Sequence, residues 1–289
     1  MINKKPEITV IIPTYHDWGR LRLCVEAVKS QNIEADSYEV IIVNNDPEDR
    51  LPANFDLPNN FQLISESGPG SYAARNAALK IAQGEVIAFT DSDCRPAPDW
   101  LSNGMKYLIG GADRVAGRVE LSFKDNNLSW AEIYEKAFSF QQHKNAAHGV
   151  SVTANLIAWR RVLDEVGPFN DKLMSGGDIE WNARATAMGK SIVFGDGCTV
   201  FHPARASFPE LIAKRKRIAG GTYSIHGLRT ADVLKGLMPP VNTLPNLVRD
   251  KKLAVRERAI AFLVCYYLKV YRLYLLLRFQ AGLERPSRV

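Results

Sequence analysis

The chain has 289 residues, 46% hydrophobic and 24% charged, with a formal net charge of +6. This is the composition of a soluble globular protein, long enough for one large α/β domain with added elements or for two small domains. The four cysteines (Cys24, Cys94, Cys198 and Cys265) lie far apart with no C-x-x-C pair, which argues for a reducing compartment and against a structural zinc site. Charge is unevenly distributed. From Pro203 onward there are 17 Lys and Arg against 5 Asp and Glu, whereas residues 1–202 hold 20 against 26. A basic tail of net +12 favours an anionic surface.

Residues 1–6 (MINKKP) do not fit a secretory signal peptide, so a cytoplasmic location is expected. Residues 8–12 (ITVII) form a continuous apolar run rich in β-branched side chains, the pattern of a strand buried on both faces of a parallel sheet. Pro13, Thr14 and Tyr15 end it. Leu21, Cys24, Val25 and Val28 recur at helical spacing within residues 21–31. Residues 38–43 (YEVIIV) predict a second buried strand that stops at Asn44-Asn45-Asp46-Pro47, and residues 61–65 (FQLIS) an edge strand. A Gly-rich loop at 67–71 precedes an Ala-rich helix at 72–83. That loop could cradle phosphate at a helix N-terminus, although it lacks G-x-G-x-x-G and P-loop spacing.

Residues 86–90 (VIAFT) predict the next core strand, and it runs straight into Asp91-Ser92-Asp93. Two carboxylates one residue apart at a strand's C-terminal end can share a hard cation, Mg²⁺ or Mn²⁺, that would bridge to a diphosphate. Open α/β sheets bind ligands at that edge. The alternative is a polar turn. Strand–helix–strand–strand–helix–strand, with a polar cluster after each main strand, describes a doubly wound nucleotide-binding half. The missing G-x-G-x-x-G argues against a dinucleotide oxidoreductase.

The order PTY, VNND, AARNAAL, then GEVIAFTDSD and P-x-x-DWL resembles a family 2 glycosyltransferase of the GT-A fold over roughly the first hundred residues. Further on, TANLIAWRRVLDEVGPFN (153–170) is similar to the family segment in which a strand carrying T-x-N is followed by a helix and a V-G-x-F turn. GGDIEW (176–181), with Arg184 beyond it, resembles the family's G-E-D-x-[DE]-[LW]-x-x-R motif, with Gly177 where many members have Glu.

The resemblance implies inverting transfer of a sugar from a nucleoside-diphosphate sugar to an acceptor hydroxyl, in cell-surface glycan or polysaccharide biosynthesis. Asp178 would be the catalytic base. A carboxylate at a helix N-terminus is held ionised by the dipole, although an ordinary N-cap has the same look. Asp93 would hold Mg²⁺ or Mn²⁺, with Asp91 on the ribose or reaching the metal through water. Pro13, Thr14, Tyr15, Asn44, Arg75, Asn76, Asp91, Ser92 and Asp93 would bind the donor. Many relatives carry Asp where Asn44 stands; an amide can still pair with a uracil edge, so a UDP-sugar is the expected donor. Some relatives place a His after a strand as a further ligand, the role expected of His202, which follows two short strands at 191–194 and 199–201.

The implied domain division is a nucleotide-sugar-binding half at 1–110, an acceptor-binding half of the same domain at 111–223, and a basic helical extension at 224–289. Within the second, residues 214–217 form a basic helix before a Gly-rich break at 220–223. Pro239, Pro240 and Pro245 mark a linker or loop. Residues 256–279 predict a long helix whose Lys269, Arg272 and Arg278 make it a poor bilayer span. Its Tyr, Leu and Arg content suits a helix lying at the inner face of the cell membrane, near a glycan or lipid-linked acceptor; packing on its own domain or in a homodimer is the alternative. Nucleic acid is not expected as a partner, because the aromatics recur within an apolar helix. Two other classes stay open. A nucleotidyltransferase would carry a Gly-, Arg- and Lys-rich signature after the first strand, which PTYHDWGR is not. A non-catalytic membrane adaptor would leave the two acidic motifs unexplained.

Overall fold

The computed structural model describes residues 5–285. The elements in chain order are β1 (Ile8–Thr14), α1 (Trp18–Lys29), β2 (Tyr38–Asn44), β3 (Phe61–Ser65), α2 (Ser71–Leu79), β4 (Val86–Phe89), β5 (Arg95–Pro96), α3 (Trp100–Ile109), β6 (Arg114–Ser122), α4 (Trp130–Phe138), α5 (Gln142–Ala147), β7 (Leu156–Trp159), α6 (Arg160–Val166), α7 (Gly177–Ala187), β8 (Ile192–Pro203), α8 (Phe208–His226), α9 (Thr230–Leu237), α10 (Leu244–Arg249) and α11 (Val255–Gln280). The strands form one mixed sheet in the order β3-β2-β1-β4-β7-β6-β8-β5. β1 pairs in parallel with β2 and β4, β2 with β3, and β7 runs antiparallel to both β4 and β6. β3 is the edge strand expected.

The chain divides into two compact units. The first holds residues 1–120, 140–173 and 177–202; the second holds 121–139, 174–176 and 203–289. In the first unit, every residue of β1 is buried, as its unbroken apolar run requires. Leu21, Cys24, Val25 and Val28 of α1 are the helix's buried face, and they join Val10, Ile12, Val40 and Ile42 in one core cluster. The opposite face of the sheet packs Ile11, Ile41 and Phe89 with Phe169 and Trp181. Strand order reverses between β1 and β4, so Thr14 and Asp91 emerge side by side at the switch point where α/β sheets bind ligands.

Three local expectations are corrected. The T-x-N stretch is a 3₁₀ turn, Thr153–Asn155, placed before β7 rather than inside a strand. The two short strands expected around Asp196-Gly197 are one strand of 12 residues, β8. α8 runs unbroken through Gly220 and Gly221. A Cβ on Gly221 would come 3.1 Å from the Ser175 carbonyl oxygen, so this glycine permits close packing and the helix continues.

The second unit packs α4, α8, α10 and α11 around Ala131, Ile133, Leu211, Leu247, Ile260, Val264 and Leu268. Its prolines stand at helix boundaries rather than in an open linker: Pro240 precedes a 3₁₀ turn and Pro245 lies in the first turn of α10. The Glu135 side chain is wholly buried, yet it pairs with Arg205 at 3.1 Å and Lys214 at 2.9 Å and accepts from the Ser139 hydroxyl at 2.8 Å. Burial alone would raise its pKa; the two cations reverse that and bring it to about 2.

α9 lies on α11. Leu273 fills the space that a side chain at Gly236 would take, and Lys269 donates to the Met238 carbonyl. By length and composition α11 is able to cross a membrane, and 39% of its most apolar stretch is buried in the protein. Leu263, Tyr267, Val270, Tyr274 and Leu277 are exposed. At 100° per residue they fall within one narrow stripe.

Candidate active site

β4 ends at Phe89, and Asp91 and Asp93 follow in a turn closed by the Cys94 amide donating to the Asp91 carbonyl at 3.0 Å. Arg75, on α2 and almost fully buried, donates to Asp91 Oδ1 at 2.5 Å. Burial pushes the Asp91 carboxyl above the ordinary range; Arg75 opposes this, and the charges of Asp93 and Asp178 add to it. Asp178 therefore stands within electrostatic reach of the Asp91 end.

His202, at the end of β8, is buried with Nε2 3.3 Å from Asp93 Oδ2, and its ring lies against Phe140 with centroids 4.6 Å apart. Arg20 approaches the same oxygen at 3.8 Å. The turn thus collects two carboxylates, an imidazole and two guanidinium groups.

Ligand atoms of Asp91, Asp93 and Cys94 lie within 4.8 Å of one another. Burial and the two flanking carboxylates push the Cys94 thiol well up, so it stays protonated and is a poor ligand. The donors left are carboxylate oxygens and an imidazole, a set that fits Mg²⁺ or Mn²⁺. Ser92 is buried between the carboxylates.

Asp178 sits in the first turn of α7. Its Oδ1 accepts from the Tyr72 hydroxyl at 3.1 Å and from the Ile179 amide at 2.9 Å; Oδ2 meets only the Thr153 amide, at 3.4 Å, among the contacts of the described residues. Oδ2 is the less engaged oxygen. Tyr72 and Arg75 are one helical turn apart on α2, with the Arg75 guanidinium 5.7 Å from the centre of the Tyr72 ring. One helix therefore touches both acidic centres.

The remaining predicted residues divide. Thr14 is buried, and its hydroxyl has no hydrogen-bond partner among the described residues; the same holds for the Trp18 indole N–H and Arg75 Nε. These are donors that a polar ligand at the switch point would satisfy. Pro13 stands beside Thr14 at the end of β1, and Tyr15 is exposed with its ring edge-on to His16.

Asn44 is placed differently from the expectation. Both amide hydrogens go to the Asp46 and Asp49 carbonyls, at 2.7 and 2.6 Å, so it organises its own loop and offers no N–H to a base. Asn76 is engaged in both directions by the backbone of Phe169, at 2.8 and 3.0 Å, and braces the G-x-F turn. Asn155 of T-x-N is a structural hub. It donates to the Arg118 and Cys198 carbonyls at 2.8 and 2.9 Å and accepts from the Trp100 indole at 2.9 Å. A Cβ on Gly117 would come 2.3 Å from it, so only glycine admits it.

Sequence reasoning passes over Tyr72, Arg20 and the group formed by His16 with Asp46 and Asp49, at 2.9 and 3.3 Å. The i, i+3 spacing of Tyr72 and Arg75 on a predicted helix is the signal that would have found Tyr72.

A mixed sheet with a parallel half, carrying acidic clusters at its C-terminal edge, defines a glycosyltransferase of the GT-A fold. The chain belongs to glycosyl transferase family 2, whose family model matches residues 9–167. It is 35% identical over 232 residues to glycosyltransferase AglE of Haloferax volcanii, a match that covers 78% of this chain and 76% of that one. Among solved structures, its fold is similar to the mannosyltransferase PcManGT from Pyrobaculum calidifontis, in complex with GDP-Man and Mn²⁺: TM-score 0.59, 17% identity, 97% of this chain and 89% of that one. S. aureus TarS 1–349 gives a TM-score of 0.51 at 16% identity, over 96% of this chain and 92% of that one.

Proposed function

We propose that this glycosyltransferase moves a sugar from a nucleoside-diphosphate sugar to an acceptor hydroxyl with inversion at the anomeric carbon. The observation that carries the reading is the pairing of two acidic centres by α2: Asp91 held by Arg75, and Asp178 held by Tyr72.

In this mechanism Asp178 accepts the acceptor's hydroxyl proton on Oδ2, the less engaged oxygen, as that hydroxyl's oxygen bonds to the anomeric carbon. The bond from that carbon to the diphosphate breaks, and its electron pair leaves with the diphosphate. Arg75 and Arg20 provide fixed positive charge at the end where negative charge develops. Asp93, Asp91 and His202 would hold Mg²⁺ or Mn²⁺, which when bound supplies Lewis-acid stabilisation of the leaving diphosphate.

A UDP-sugar is the first donor to try. With the Asn44 amide engaged in its loop, base recognition falls to other groups of the same edge, where His16, Asp46 and Asp49 stand together. The complex of PcManGT with GDP-Man puts guanosine sugars in the same screen.

The acceptor we assign is a glycan or lipid-linked hydroxyl at the inner face of the cell membrane, in cell-surface glycan or polysaccharide synthesis. The exposed apolar stripe of α11, within a basic region of the chain, supports attachment by an interfacial helix. The test is a panel of UDP-, GDP- and dTDP-sugars with Mn²⁺, read as release of nucleoside diphosphate. Activity with one donor, lost on chelation, is expected. No turnover or nucleotide-dependent thermal shift with any donor would overturn the reading.

A further inference from the structure

We propose that Tyr72 is a positioning residue that fixes the Asp178 carboxylate in the orientation needed to receive the acceptor's proton. The inference rests on the reading of Asp178 as the base. Asp178 is only partly buried and stands at the very start of α7, where an unrestrained aspartate has several rotamers and can fold back as an N-cap.

The structure removes that freedom from the side. The Tyr72 hydroxyl holds Oδ1 at 3.1 Å, leaving Oδ2 as the oxygen with capacity to accept. Tyr72 is itself immobilised: it is 5% exposed, its ring stacks on Phe169 with centroids 5.9 Å apart, and the Arg75 guanidinium covers it at 5.7 Å. Burial, reinforced by the Asp178 charge, raises the phenol's pKa, so it stays protonated and acts as a donor at any working pH.

Gly177 makes this approach available. A Cβ there would come 2.8 Å from the Tyr72 ring, inside any tolerated contact, so a side chain at residue 177 would displace the ring. The bare position before Asp178 and the tyrosine that fills it are two parts of one device. The groups that face Asp178 are Tyr72 of α2, Asp91 beyond β4, and the amides of Thr153 and Ile179. Tyr72 alone among their side chains is a hydrogen-bonded neutral donor to the carboxylate.

The test is Tyr72→Phe, which removes one oxygen and keeps the ring that packs on Phe169. A hydrogen bond to a charged group contributes about 1.5–3 kcal/mol, which corresponds to a roughly ten- to hundredfold effect. The Asp178 carboxyl carbon, followed by ¹³C NMR on the full chain at fixed neutral pH, is expected to change its chemical shift in the variant, because the hydrogen bond to Oδ1 is lost. With the donor that the sugar panel identifies, kcat is expected to fall about tenfold or more with donor KM unchanged.

Gly177→Ala should show the same losses, and combining it with Tyr72→Phe should add little to either. An unchanged Asp178 carboxyl signal, or a rise in donor KM at constant kcat, overturns the proposal. Fully additive losses in the double variant overturn the part given to Gly177. Asp178→Asn separates the two readings. If it leaves kcat intact, the base assignment fails and Tyr72 loses its role with it. If it abolishes turnover while Tyr72→Phe changes neither the carboxyl signal nor kcat, only the Tyr72 proposal falls.

Discussion

Arg75 donates to Asp91 Oδ1 at 2.5 Å from a side chain that is 2% exposed. A guanidinium buried to that extent cannot be released without an uncompensated charge, so Asp91 has a fixed position before any ligand arrives. The second carboxylate differs: Asp93 meets His202 and Arg20 at 3.3 and 3.8 Å. Asp91 is the anchored member of the pair, and Asp93 faces the groups suited to share a ligand.

Asp93→Ala is therefore expected to abolish transfer and to remove the Mn²⁺-dependent part of nucleoside-diphosphate binding, with the thermal unfolding of the free protein little changed. Arg75→Ala should damage the fold as well, because Asp91 loses its buried partner. Calorimetric titration of UDP and GDP with and without Mn²⁺ separates the two. Retention of Mn²⁺-dependent binding by Asp93→Ala would contradict the assigned ligand.

Asp178→Asn keeps the shape of the side chain and removes its ability to take a proton. A fall in kcat on the order of 10²–10⁴ is expected, the span usual for a positioned general base, with donor affinity barely altered. Steady-state kinetics with the identified donor decides it: weakened donor binding at constant kcat would reassign Asp178 to substrate recognition.

Glu135 predicts an acid dependence. Its pKa falls from 4.5 to about 2 on folding, because Lys214 and Arg205 outweigh the cost of burial. A depressed carboxylate stabilises above its unfolded pKa and loses that contribution as pH falls, here between about 4.5 and 2. The contribution of Glu135 by itself is on the order of 3 kcal/mol, and burial of Lys214, which lowers the lysine's own pKa, offsets part of it. Glu135→Gln should lower Tm at neutral pH and flatten its fall across that window. Parallel Tm profiles for the two proteins would show that the ion cluster contributes nothing.

The stripe on α11 predicts adsorption. Full-length protein should co-sediment with anionic vesicles, less strongly in high salt. Replacing Leu263 and Tyr274 by Ser should weaken binding on the order of 10²–10⁴-fold, since each large apolar side chain taken from water contributes about 1.5–3 kcal/mol. Equal sedimentation of the two proteins, or none by either, would turn the stripe into a packing or dimer face.

Much of the parallel half of the sheet is legible because β1, β2 and β4 are unbroken apolar runs, each followed by a polar cluster, and the helices between them keep a period near 3.6. Asp91 and Asp93 stand out for the same reason, since they mark where the β4 run stops, whereas Asp178 stands out through the motif that opens α7. What escapes depends on partners distant in sequence. Asn44 looks like a ligand residue until its loop claims both amide hydrogens. Gly220 and Gly221 look like a break, but helix packing overrides the local preference of glycine. Asp196-Gly197 reads as a turn, yet β8 passes straight through it. β6 and α4, at residues 114–138, are announced by no motif.

The Asn155 hub also places a clock inside the sheet. From its place just before β7, its amide hydrogens and the Trp100 indole hydrogen are engaged at 2.8 to 2.9 Å, linking it to β6, β8 and the start of α3. Local fraying at a loop or helix end does not expose them, so their exchange with deuterium follows the opening of the sheet as a whole. These few side-chain signals would report the lifetime of the intact fold independently of any motion at the carboxylates.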